Sequence, residues 1–203
     1  MEKSARALAV LAIGFVLGAA LMGFEMVASR YLYPYYGSGI EVWAALISTV
    51  LLALMAGYFV GGQLADRHPR SEFLGVAILI AAALLALIPA LKDPILDFMI
   101  AHVGDGIVSI LTTCVVLLFA PLTLLSFFSP FAVRLLLRDA KKSGGVSGAI
   151  YAINTIGNVF GTLGSALVLI PLTGSRAITY ILAAIIALCG VGLILVRARG
   201  QDD

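Results

Sequence analysis

The chain is predicted to be an all-α integral membrane protein with six spanning helices, and three observations lead there. Of its 203 residues 62% are hydrophobic and 12% charged, with a mean hydropathy of +1.10, too little polar surface for a water-soluble globule. Uncharged runs long enough to cross ~30 Å of hydrocarbon, roughly 20 helical residues each, recur six times along the sequence. Lysine and arginine then sort between the two sides. Lys3, Arg6, Arg67, Arg70, Arg134, Arg138, Lys141, Lys142, Arg197 and Arg199 fall on one side, and only Arg30, Lys92 and Arg176 on the other. By the positive-inside rule both termini are expected in the cytoplasm of a multi-pass protein of the cell inner (plasma) membrane. The net charge of +2 carries no nucleic-acid signal, and the basic residues read as topology signals and contacts to anionic membrane lipids.

The first span covers about residues 7–29. No small-residue cleavage site follows its apolar run, so it is expected to stay in the mature protein. The uncharged stretch Ala7 to Phe24 ends at Glu25, a residue type that in hydrocarbon needs a partner, a proton or water. Eighteen residues at ~1.5 Å each put this carboxyl about 27 Å from the start of the run, near the outer limit of the hydrocarbon. Arg30, five residues on, is a poor partner on a regular helix, so Arg176 or Lys92 is the expected neutralising group. Tyr31, Tyr33, Tyr35, Tyr36 and Trp43 follow in an aromatic cluster. They read either as a headgroup belt or as rings lining an outer vestibule, on an extended segment or on a turn at Pro34 and Gly37.

The second span, about 42–65, carries Gly57 and Gly61, and the fifth, about 146–170, carries Gly157 and Gly161. With Gly14 and Gly18 these make three Gly-x-x-x-Gly pairs for close helix packing. The third span, about 73–91, leads into a short amphipathic outer segment at about 94–103. The fourth, about 106–133, is interrupted by Pro121 and Pro130, which are expected to kink it. After the basic loop Arg138 to Gly145, the fifth span places Asn154 and Asn158 one turn apart on one face, either bonding a neighbouring helix or walling a polar cavity. The sixth covers about 177–196, and the whole of 1–203 reads as a single domain. Cys114 and Cys189 fall inside spans and read as buried small hydrophobes. Neither a dinucleotide fingerprint nor a phosphate-binding loop is present, and no cysteine or histidine cluster has metal-ligand spacing, so no cofactor and no metal is expected.

At the end of the second span the chain reads Gly57-Tyr58-Phe59-Val60-Gly61-Gly62-Gln63-Leu64-Ala65-Asp66-Arg67-His68-Pro69-Arg70. Gly62, Asp66, Arg67 and Arg70 resemble the loop signature of the major facilitator superfamily, with Pro69 where that pattern usually has a second glycine. The resemblance implies a half-size facilitator-like bundle, with these residues, Arg30 and Pro130 in gating or structural roles. The blocks Glu25 to Arg30, Pro34 to Ser38, Val42-Trp43, Ser129 to Arg134 and Ser147 to Ala152 are similar to the membrane domain of spermidine-synthase-like multispanning proteins. In that family such a domain is commonly joined to a cytoplasmic aminopropyltransferase-like domain. This chain ends at Asp203, after the sixth span, so no enzymatic activity is expected of it.

Two functions follow as expectations. In one, the chain is half of a transporter, completed as a homodimer around a central cavity, moving a small cationic or proton-coupled solute. Glu25, Asn154, Asn158 and Tyr35 would bind that solute, for which the family resemblance suggests a polyamine. In the other, the chain is a membrane anchor or regulatory subunit for a separate soluble aminopropyltransferase, docked on its basic loops.

Overall fold

In a computed structural model the chain is described over residues 2–137 and 143–197. Arg138, Lys141 and Lys142 of the basic loop, and Arg199 of the tail, lie outside the described residues. Six helices are long and apolar enough to cross a membrane, and the protein is a multi-pass membrane protein. They are α1 (Glu2–Tyr36), α2 (Ile40–Arg67), α3 (Ser71–Val103), α4 (Ile107–Leu136), α5 (Ser143–Leu172) and α6 (Ser175–Val196). The end where α1 begins and α6 finishes is called here the terminal face, and the opposite end the far face.

Two elements run longer than the apolar stretches suggest. α1 continues through Pro34 to Tyr36, so Tyr31 to Tyr36 lie neither on an extended segment nor on a turn. The helix stops at Gly37, whose φ of +74° is left-handed backbone that a side chain disfavours, and the Gly37 amide donates back to the Tyr33 carbonyl at 2.9 Å. α3 runs to Val103, so residues 94–103 form its far-face extension. Prolines loosen α4 and α5 instead of ending them. Each helix widens to a π turn, Val115–Phe119 before Pro121 and Ser165–Leu169 before Pro171. A proline offers no amide to the carbonyl four residues back and its ring crowds that carbonyl. Those carbonyls belong to Leu117 and Leu167, inside the π turns.

Small residues set the packing, because lipid supplies no hydrophobic drive between helices and close backbone approach must hold them instead. α1 lies parallel to α5, with Phe15, Ala19 and Gly23 opposite Gly157, Gly161 and Ser165. α2 lies parallel to α4, Gly57 against Thr123 and Ser126 and Gly61 against Phe127. α3 and α6 run antiparallel through Gly75, Gly190 and Ile194. Exchanging α1–α3 for α4–α6 turns the α1/α5 pair into α4/α2 and leaves α3/α6 unchanged. The flanking contacts α1/α6 and α1/α2 likewise map onto α4/α3 and α4/α5, all of which are present. Since α1 and α4 traverse the bundle in opposite directions, the packing has the pattern of an inverted three-helix repeat. The glycine pairs of α2 and α5 occupy equivalent places in it.

At the far face a polar network ties α1, α3 and α6. The Tyr31 hydroxyl meets Thr179 Oγ1 at 2.7 Å, and Thr179 donates to the Ser175 carbonyl at 2.9 Å. Lys92 lies 5.3 Å from the centre of the Tyr31 ring and pairs with Asp93, which also accepts from Arg176 at 2.9 Å. Tyr36 joins α4 through Ser109 at 2.8 Å and Thr113 at 3.1 Å. Replacing Tyr31 by Phe leaves the Thr179 to Ser175 bond in place. The Tyr31 hydroxyl also donates to the Ser175 carbonyl at 3.0 Å, so the expected loss is that of two ordinary hydrogen-bond contacts, about 1–3 kcal/mol, read as a fall in melting temperature in detergent.

Candidate functional site

Glu25 is 6% exposed and is the one charged residue among the described residues that is buried. Because α1 runs on to Tyr36, Glu25 lies eleven residues, ~16 Å, before the helix end, farther from it than a span ending near residue 29 implies. Leu21, Ala28 and Leu32, three to seven residues away on the same helical face, are buried with it. Among the described residues it has no ion pair and no hydrogen bond. The two cations expected to neutralise it, Lys92 and Arg176, are engaged by Asp93 at the far face.

A cleft of about 210 Å³ opens at the far end, between α1, α2 and α5. α1 contributes Met26, Ser29, Arg30 and Tyr33, which recur every three to four residues and so share a face. Val42 and Trp43 stand across it on α2, and Ala166 and Ile170 close it from α5, with Gly37 and Ser38 at its rim. Arg30 and Tyr33 are exposed within it. A larger groove of about 370 Å³ between α1, α5 and α6 is walled almost wholly by apolar groups such as Phe15, Phe160, Val168 and Leu182. That groove suits acyl chains and offers no chemistry for recognising a polar solute.

The remaining expected binding residues lie elsewhere. Asn154 and Asn158 face the α1/α5 seam. With its amide nitrogen turned toward α1, Asn158 donates to the Gly18 carbonyl at 3.0 Å and to that of Asn154 at 3.3 Å. Asn158 thus bonds a neighbouring helix, while Asn154 enters through its backbone carbonyl. In the register of the seam Gly18 precedes Glu25 by seven residues, ~10 Å along α1, so the structure does not bring the asparagines to the carboxyl. Tyr35 points to the far-face network, with its hydroxyl 3.4 Å from Asp93 Oδ1. Tyr33 lines the cleft instead. On a helix residue 33 falls one turn above Ser29 and Arg30, while residue 35 is turned ~200° away from it.

The loop-signature residues gather at the terminal face. Gly62 lies beside Pro130, where an added Cβ would make an ordinary 3.9 Å contact. Asp66 faces Arg134, in the last turn of α4, with Arg134 Nε to Asp66 Oδ1 at 4.0 Å. Arg134 Nε is buried without a hydrogen bond, so the link is one of charge alone, and the Asp66 side chain is 79% exposed. Such a contact contributes at most ~1 kcal/mol and breaks easily. Arg67 and Arg70 are exposed. His68 and Phe73 pack at 5.7 Å, and Phe73 stacks on Phe131 of α4 at 5.9 Å, holding the loop against that helix. Arg134 was not expected as part of this group, though it closes the block Ser129-Pro130-Phe131-Ala132-Val133-Arg134, where its position was visible.

No family model matches the chain, and the comparisons with curated proteins and with solved structures found no match either.

Proposed function

We propose that this protein is one half of a membrane transporter of facilitator type, completed by a second copy and moving a small solute coupled to protons. The observation that carries this reading is the cleft between α1, α2 and α5, together with the buried carboxyl of Glu25 on another face of α1, which has no hydrogen bond or ion pair among the described residues. A cleft bounded by helices at an exposed side of the bundle, with a single charged side chain in a largely apolar wall, is what half of a central cavity looks like. The inverted-repeat packing supports it, since transporter folds of this kind place their sites where such repeats meet. So does the bareness of α5. In its most apolar stretch 11% of residues are buried, against 39–50% in the other five spans, and Ile156, Val159, Phe160 and Leu163 are all exposed. Among the described residues lining the cleft Arg30 alone is charged, which favours the proton-coupled solute over a polyamine. The positive-inside count puts the terminal face in the cytoplasm, at the plasma membrane.

The test is mass and flux together. Light scattering in mild detergent should give twice the 21.2 kDa chain mass, and a cysteine placed at Phe160 should cross-link two copies across α5. Proteoliposomes holding that dimer should take up solute when a pH gradient is imposed. A strict monomer would remove the paired-halves reading, and co-purification of a soluble enzyme with it would favour the anchor.

A further inference from the structure

We infer that the cleft between α1, α2 and α5 binds an oxyanion, a carboxylate or phosphate, attached to a compact apolar body; this deepens the transporter reading by naming the class of its solute. Arg30 carries it. The residue lies six positions, ~9 Å, before the end of α1 and is exposed in the cleft. No carboxylate among the described residues pairs with it. Glu25 is on another face of α1 and buried, Glu41 on α2 is exposed and outside the lining, and Asp93 is occupied by Lys92 and Arg176. The planar guanidinium is the side chain best matched to a two-oxygen anion. Ser38, in the same lining, offers a hydroxyl to its remaining lone pairs, while the Ser29 hydroxyl donates to the Met26 carbonyl at 2.7 Å. The rest of the wall is apolar and aromatic. Tyr33, Trp43 and Met26 give a surface on which an aliphatic or cyclic body rests and an ammonium finds no carboxylate. At about 210 Å³ the cleft is smaller than the roughly 300–1,000 Å³ usual for small-molecule sites. It fits one head group and a ring, or half of a larger ligand in a paired molecule.

Trp43 is the only tryptophan of the chain and lines the cleft, so its fluorescence reports on this site alone. Protein in phosphatidylcholine nanodiscs is titrated with cyclohexanecarboxylate, cyclohexyl phosphate and cyclohexylamine, which share one body and differ in charge. Saturable emission changes are expected with the two anions and none with the amine. Arg30→Gln should weaken anion binding about tenfold to a hundredfold, the worth of a charge-assisted contact, and Arg30→Lys should restore part of it. The anion is either free or carried by lipid, and exchange into phosphatidylglycerol nanodiscs separates the two. An Arg30-dependent shift of Trp43 emission on that exchange, without response to soluble anions, assigns the oxyanion to a headgroup and leaves the binding chemistry standing. Equal response to the amine, or an Arg30→Gln protein that folds and binds the anions unchanged, overturns the inference. The selectivity among the three probes is read on the unsubstituted chain, so it holds even where Arg30→Gln does not fold. Binding without uptake in the flux assay would keep the oxyanion site and discard the transporter reading.

Discussion

Substituting Gly161 by Leu should abolish the folded protein, and Gly161→Ala should destabilise it by about 1–3 kcal/mol or more, as overpacking of a tight contact does. A methyl group built on Gly161 lands on the Ala19 carbonyl oxygen, and one on Gly157 lands on that of Phe15. Both obstacles are backbone, so no rotamer change relieves them; α1 and α5 must separate. Separation is costly here because α5 buries little against anything else, and it also breaks the Asn158 bond to the Gly18 carbonyl. Gly57→Ala should behave alike, since it meets Ser126 and Thr123 of α4 at the equivalent place in the other repeat. Gly164→Ala, on α5 with nothing within 4 Å of an added Cβ, should leave stability unchanged or slightly improved. Fluorescence-detected size-exclusion after heating ranks the four variants. Equal melting of Gly161→Ala and Gly164→Ala would contradict the α1/α5 register described here.

Much of this was readable in the sequence, and the physical reasons for the rest are specific. Six spans follow from apolar length, because a backbone in hydrocarbon must bond to itself along a helix. The glycine pairs were visible too, but not which helices they join. That depends on which helices become neighbours, and a periodic pattern within one helix does not encode it. The end of α1 was hidden by Pro34 and Gly37, which read as a turn. A proline near the end of a helix removes a single amide bond, and the helix absorbs the loss and stops three residues later at Gly37. This shift of seven residues past Ser29 is what moves Tyr33 into the cleft and Tyr35 out of it, and what sets Glu25 farther from the helix end. The Lys92-Asp93 neighbourhood could have warned that Lys92 was already spoken for. The cleft itself had no sequence signal beyond the scatter of Ser29, Arg30, Tyr33 and Trp43, since two of its three walls come from helices that meet only in the fold.

Glu25→Gln should separate coupling from binding. The carboxyl makes no hydrogen bond or ion pair among the described residues, so an amide of the same shape removes a titratable proton site without breaking a contact, and the melting temperature should hold or rise. Relative to Arg30 the carboxyl lies five residues earlier, ~7.5 Å along α1 and ~140° around it, one group toward the cleft and the other toward packed helices. A solute anion on Arg30 and a proton on Glu25 would thus be held on one rigid helix with no direct contact, a geometry in which charge on one site biases the other through space. In proteoliposomes Glu25→Gln is therefore expected to reduce uptake driven by a pH gradient to the level of empty vesicles, while the Trp43 response to cyclohexanecarboxylate stays within about twofold, the scatter expected when no direct contact with the ligand is lost. Arg30→Gln should lose both. If gradient-driven uptake survives in Glu25→Gln, the carboxyl is a packing element and the coupling proton travels elsewhere; if instead the anion response vanishes with it, the two residues form one site and the face assigned to Glu25 is wrong.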